Sequence, residues 1–231
     1  MKFPPRAVAL IAALFCLTAS ASAQIGHLPA NSPFEDIERG HQLSFFGGYL
    51  HAGKDPLGVA PQSGPMYGLR YELHLGGPAS LMTRFARVNS ARRAINPDEA
   101  GSARQLGQQN VGLNLLDLNL VLNLTGQKSF RKLVPVLNLG AGVGICGCNV
   151  DGDPYRFGTP FAFSLGGGLR YVTGGRFEFR ADLNDYLYRI KYPERYFETI
   201  SGPPAAGPDQ ARSFWKNNPA VSVGATFLFF R

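Results

Sequence analysis

The side chains that could do chemistry in this chain alternate with apolar ones. Arg70, Glu72 and His74 take every second place in MYGLRYELHL, and Glu178, Arg180 and Asp182 do the same in FEFRADL. Arg84 in LMTRFA and Arg170 in GGGLRY sit between apolar neighbours in the same way. Side chains two apart in an extended chain share one face. Each run therefore shows charge on one side and Leu, Tyr or Phe on the other. Such a row could line a polar path, or it could neutralise itself. Away from water, a guanidinium and a carboxylate must be paired and hydrogen-bonded.

The remaining candidates are sparser. Cys146 and Cys148 flank one glycine and are the only cysteines beyond Cys16. They could form a disulfide in an oxidising compartment, and no His lies near them to complete a metal site. Asp151-Gly152-Asp153 has two carboxylates but lacks the other ligands of a calcium loop, so it reads as a turn. Nucleophilic catalysis needs a nucleophile held beside a base. The histidines after the leader are His27, His41, His51 and His74. Ser63 is a loop candidate, but no spacing links it to His51. No catalytic, cofactor-binding or metal-binding residue is assigned.

These rows need strands to hold them. In the stretch from Pro160 to Tyr188, Phe161, Phe163, Leu165, Leu169 and Tyr171 share one parity. After the break at Thr173-Gly174-Gly175, Phe177, Phe179, Ala181 and Leu183 share another, so the stretch reads as a hairpin. The same period predicts strands over His41 to His51, Met66 to Leu75, Ser80 to Asn89, Leu106 to Leu124, Leu133 to Ile145 and Pro219 to Phe230. Within Leu106 to Leu124 the apolar parity switches at Leu115-Leu116, which predicts a β-bulge there. Interior glycines (Gly140, Gly142, Gly166 and Gly168) would leave room for long arginines. The count is eight strands, and the connections alternate long and short. The loops at 52–65, 90–105, 146–159 and 189–218 are the long ones.

Composition narrows the class. The 231 residues are 45% hydrophobic and 17% charged, which is too polar on average for a bundle of spanning helices. Strands with one lipid-facing and one polar face average out this way. The formal net charge is +7, falling to +5 without Lys2 and Arg6, too modest and dispersed to imply nucleic acid. Those two residues open a leader. Ala7 to Ala19 is its short apolar core, and Ala21-Ser22-Ala23 is a small-residue cleavage site. Phe15 beside Cys16 is too bulky for a lipid-anchor motif. The reading is a signal peptide over 1–23, a periplasmic lead-in over 24–40, and a β-barrel domain over 41–231. Ser32 could cap a short helix from Pro33 to Arg39.

At this point the chain resembles the small outer-membrane β-barrel families, the OmpA/OmpX-like domains. The resemblance rests on the leader, the eight alternating strands, the GGGLRY and FEFRAD hairpin and the aromatic end of the last strand. It implies an all-β fold, an eight-stranded antiparallel up-and-down transmembrane barrel in a bacterial outer membrane. Its partners would be outer-membrane lipid and the assembly machinery that recognises a terminal aromatic; here Arg231 follows Phe230. Arg70, Glu72, His74, Arg84, Arg170, Glu178, Arg180 and Asp182 would then form a lumenal charge network. Tyr49, Tyr67, Tyr171, Tyr186, Tyr188 and Phe229 would belong to interfacial girdles. The function expected is structural or surface interaction, with long outer loops whose ligand is unnamed. The alternatives are a small passive pore and, less favoured, a lipid-modifying enzyme. No cofactor is called for.

Overall fold

A computed structural model of the chain describes residues 32–37, 40–198 and 203–229. The leader over 1–23, most of the lead-in and Phe230-Arg231 lie outside the described residues. From Phe34 onward the chain forms β1 (Phe34–Asp36), β2 (His41–Leu50), β3 (Gly64–Gly76), β4 (Ala79–Ile95), β5 (Gln105–Asn123), β6 (Lys128–Phe130), β7 (Leu133–Cys146), β8 (Phe161–Val172), β9 (Phe177–Lys191) and β10 (Ser213–Leu228). Eight of these close a ring. Each pairs antiparallel with the next along the chain, and β10 pairs with β2. Closure leaves the ring no exposed edge.

The two short strands are not members of the ring but extend from it, β6 pairing with β7 where Phe130 stands opposite Leu133. β1 pairs with β6, setting Phe34 opposite Phe130 and Asp36 opposite Lys128. This replaces the helix expected from Pro33 to Arg39. An isolated helix that short gains little from its own bonds, whereas β6 offers a ready edge and Phe34 stacks on Phe130 at 5.3 Å.

The loops alternate in length around the ring. The connections at 77–78, 124–132 and 173–176 lie at one end, and those at 51–63, 96–104, 147–160 and 192–212 at the other. Two long loops are shorter than the sequence pattern predicts. β4 continues to Ile95 and β5 starts at Gln105, with Ala91 opposite Asn110 and Arg93 opposite Gln108. β9 likewise runs to Lys191 and β10 begins at Ser213.

The switch at Leu115-Leu116 has a different cause from the expected bulge. Pairing is unbroken there: Leu115 stands between Ala86 on β4 and Gly144 on β7, and Leu116 between Phe85 and Val143. The inward residues of β5 keep one parity throughout, as Val111, Leu113, Leu115, Asp117, Asn119, Val121 and Asn123 are all buried. What inverts is polarity. Toward the long loops the outward residues are Gln108, Asn110 and Asn114; toward the short turns they are Leu116, Leu118, Leu120 and Leu122. β4 and β9 invert in the same way. On β9, Glu178, Arg180, Asp182 and Asn184 point inward, followed by Tyr186, Tyr188 and Ile190. Tyr186 and Tyr188 are therefore interior, 1% and 0% exposed, and are not girdle residues. Tyr49, Tyr67 and Tyr171 do face outward and are exposed.

The barrel thus has two storeys. In the lower one, Phe45, Leu69, Phe85, Leu118, Leu139, Leu165, Phe179 and Val223 form an exposed apolar belt around a polar interior. Such a contiguous belt is a lipid-facing surface. In the upper storey β4, β5 and β9 turn a mainly apolar face inward and a more polar face outward, as in a protein standing in water. The boundary gives a test on one strand. Leu118→Lys should cost about 2–4 kcal/mol in the bilayer, whereas Asn110→Lys, also outward on β5, should stay within about 0.5 kcal/mol. Urea unfolding from lipid vesicles measures both. Equal costs would erase the boundary.

Candidate functional site

The register places like charges side by side. Arg70 stands opposite Arg84 across β3 and β4, and Arg170 stands opposite Arg180 across β8 and β9. Directly opposed like charges repel, so each guanidinium needs a carboxylate. Asp117 on β5 serves Arg84 as a fork, with Nε and Nη2 donating at 3.1 and 2.6 Å. Two other acids reach across the lumen. Glu72 on β3 accepts from Arg170 Nη2 at 2.8 and 2.9 Å and from Arg180 Nη1 at 3.1 Å. Asp182 accepts from Arg180 Nε at 2.7 Å and also from Arg70, whose other terminal nitrogen donates to Ser222 Oγ at 3.2 Å. Glu178 lies 3.4 Å from Arg170 Nε. Four arginines therefore meet four carboxylates, all of them buried.

Close backbone approach makes this possible. A Cβ on Gly142 would lie 2.7 Å from Asp117 Cβ, and one on Gly168 would lie 2.4 Å from Asp182 Oδ1. The interior glycines thus clear space for the acceptors rather than for the arginines themselves. Aromatic rings cover two of the guanidinium faces, with Arg70 4.5 Å from the Phe46 centroid and Arg84 4.8 Å from that of Tyr186. His74 shares the inward parity but is only half-buried, at the short-turn end.

Asp117 is a member of this group that the strand pattern alone does not single out. Its signal is present in the sequence, as a lone acid at the first inward position below the polarity switch. Asn119 extends the group by donating to Asp117 Oδ1 at 2.9 Å and accepting from Ser164 at 2.7 Å.

The long loops build a second polar cluster above the apolar storey. Asp153 turns back inside and is 2% exposed. It accepts from Arg92 Nη1 at 2.7 Å, Tyr196 Oη at 2.6 Å and the amides of Ile95 and Tyr155. The turn at Asp151-Gly152-Asp153 therefore also serves as a tie between loops. Arg92 Nε donates to the Cys148 carbonyl at 2.9 Å, and Cys148 is disulfide-bonded to Cys146. Tyr192 donates to Asp55, and Lys216 Nζ donates to the Pro61 carbonyl at 2.8 Å. Burial pushes the Tyr155, Tyr192 and Tyr196 phenols well above their ordinary range, and the acceptors Asp55 and Asp153 reinforce this for Tyr192 and Tyr196. Ser63 Oγ accepts from the Ala52 amide at 2.8 Å, and among the described residues no hydrogen bond joins it to His51.

Both clusters can be tested by substitution. Arg84→Met or Asp117→Leu alone should cost about 3–5 kcal/mol, because each strands its partner. The double variant should recover about 0.5–3 kcal/mol of the summed cost. Urea unfolding in vesicles reads the cycle, and simple additivity would refute the pairing. In the loops, Asp153→Asn should expose 147–160 and 192–212 to proteinase K while the barrel fragment survives. A raised phenol stabilises below its unfolded value and loses that contribution above it. Cleavage of the unaltered chain should therefore rise as pH passes about 10, and a flat profile would remove Tyr196 from the tie.

No family model matches the chain, and no curated protein matches it in sequence. Solved structures do match in fold. Neisserial surface protein A aligns at a TM-score of 0.52 and 11% identity, covering 86% of this chain and 98% of that one. The outer membrane protein OprG from Pseudomonas aeruginosa aligns at 0.51 and 13%, covering 87% and 100%. At such identities the likeness is one of fold. The chain has the closed, antiparallel fold of the small eight-stranded outer-membrane β-barrels.

Proposed function

We propose that this chain is an outer-membrane barrel of a bacterial envelope with a structural or surface-interaction role and no catalysis of its own. In this reading residues 1–23 are removed as a signal peptide, and 24–40 lead in from the periplasm. The short turns then face the periplasm and the long loops face outward. The assembly machinery and the membrane lipid are its obligatory partners.

The observation that carries the reading is the pairing of charges across the lumen. Arg70, Arg170 and Arg180 bond to Glu72 and Asp182 from non-neighbouring strands, so the side chains bridge the interior rather than line it. Above them Leu50, Leu113, Tyr155, Tyr188 and Tyr196 belong to one buried apolar cluster, into which the loops pack. An eight-stranded interior is only wide enough for its own side chains. A passive pore would need a continuous wet path through both storeys. A lipid-modifying enzyme would need a nucleophile joined to a base, and among the described residues no hydrogen bond joins Ser63, which accepts from the Ala52 amide, to His51.

Planar-bilayer recording separates these readings. The unaltered chain should add no steady single-channel current at any polarity. Steady currents of uniform size would overturn the closed-lumen reading in favour of the pore.

A further inference from the structure

Where the polarity of the exterior inverts, one groove on the outer wall combines cations with an aromatic floor. It spans β8, β9 and β10 on the long-loop side, encloses about 540 Å³, and is lined by Phe157, Phe161, Arg189, Lys191, Ser213 and Trp215 among others. The register explains the grouping. Trp215 on β10 is the cross-strand partner of Arg189, and Ser213 that of Lys191. Ala162 pairs with Tyr188, which carries Phe161 to the other flank of Arg189.

Each part has a definite state. Arg189 and Lys191 are exposed. The Ser213 hydroxyl accepts from Arg189 Nη2 at 2.6 Å and from Nε at 3.2 Å, which fixes the guanidinium over the groove. On the flanking strands Phe161 stacks edge-on against Phe163 at 4.9 Å, and Phe163, opposite Leu187, meets Trp215 at 6.0 Å. These three rings are about half exposed and continue the apolar belt upward. Among the described residues no carboxylate lines the groove. The outward acid nearest along β9, Asp185, accepts from the Asn218 amide at 2.8 Å.

Cations flanked by exposed aromatic rings that continue the apolar belt match one kind of molecule, an amphiphile whose phosphate sits directly over its acyl chains. Guanidinium and ammonium groups bind phosphate by charge-assisted hydrogen bonds, and aromatic rings settle at the headgroup level. We propose that this groove is a binding site for the phosphate-bearing headgroup of a lipid in the adjoining leaflet. Arg189 and Lys191 hold the phosphate, and Phe161 and Trp215 flank the upper part of the chains. The proposal rests on the membrane-barrel reading and assigns it a defined lipid contact.

Trp215 is the only tryptophan in the chain, so its fluorescence reports this groove alone. The full chain is reconstituted in phosphatidylcholine nanodiscs containing increasing fractions of phosphatidic acid. The expected result is a saturable shift in Trp215 emission with phosphatidic acid. In the Arg189→Gln, Lys191→Gln double variant the midpoint should rise about tenfold, because each basic side chain near a lipid surface contributes to anion attraction. Arg93→Gln, outward on β4, should leave the midpoint unchanged. Inorganic phosphate added to pure phosphatidylcholine nanodiscs should produce no shift. The site is overturned if the double variant titrates like the unaltered chain, if Arg93→Gln weakens binding equally, or if inorganic phosphate alone reproduces the shift. Heat-modifiable migration on a gel reports insertion separately. A failed titration by an inserted barrel removes the lipid site and leaves the barrel standing.

Discussion

A charged side chain inside a barrel this narrow cannot be left to bulk water, and cannot remain unpaired. That constraint accounts for much of the lower storey. The hydrogen-bond register sets Arg70 beside Arg84 and Arg170 beside Arg180, so the arginine pairs alone would give repulsion. Acids from across the ring relieve it for Arg70, Arg170 and Arg180. Glu72 holds two arginines and Asp182 holds two. Glycines on β7 and β8 open the space in which Asp117 and Asp182 can turn toward their partners.

The upper storey follows a different rule with the same strands. Once the wall leaves the apolar belt, the exterior can meet water, and the interior closes as an ordinary hydrophobic core. Polar groups there occur where loops must be tied. Asp153 gathers Arg92 and Tyr196, and Asp55 gathers Tyr192. A buried carboxylate with several donors is costly to break, because each donor loses its partner. The loop cap and the lumenal network are thus solutions to burial in two surroundings, joined by continuous strands.

Much of the fold is legible in the sequence because a strand advertises its faces every second residue. The parity of Leu69, Tyr71, Phe179 and Leu183 marks the outer wall, and the charges between them mark the interior. The misreadings fall where polarity and parity part company. At Leu115-Leu116 the hydrophobic residues change sides while the backbone does not, so a change of surroundings imitates a change of register. The same blindness puts Tyr186 and Tyr188 outside. Phe34–Asp36 reads as helical because its reason for being extended is the edge of β6, far along the chain. Asp153 looks like a turn and nothing more, since Arg92 and Tyr196 approach it only after the loops fold. Local spacing cannot carry such long-range partners.

The lumenal pairs also bear on the order of assembly. Glu72 lies on the second strand of the ring, while Arg170 and Arg180 lie on the sixth and seventh. A β2–β3–β4 segment entering a bilayer early would carry Glu72 and Arg70 without their partners from the far side, and Arg84 without Asp117 on the next strand. Each would face hydrocarbon at full desolvation cost. Stepwise threading of hairpins is therefore disfavoured, and the ring must curl nearly shut before its interior leaves water. Such closure joins segments distant in sequence and is slow for that reason. A catalyst that shelters a half-closed sheet at the membrane edge would shorten that wait.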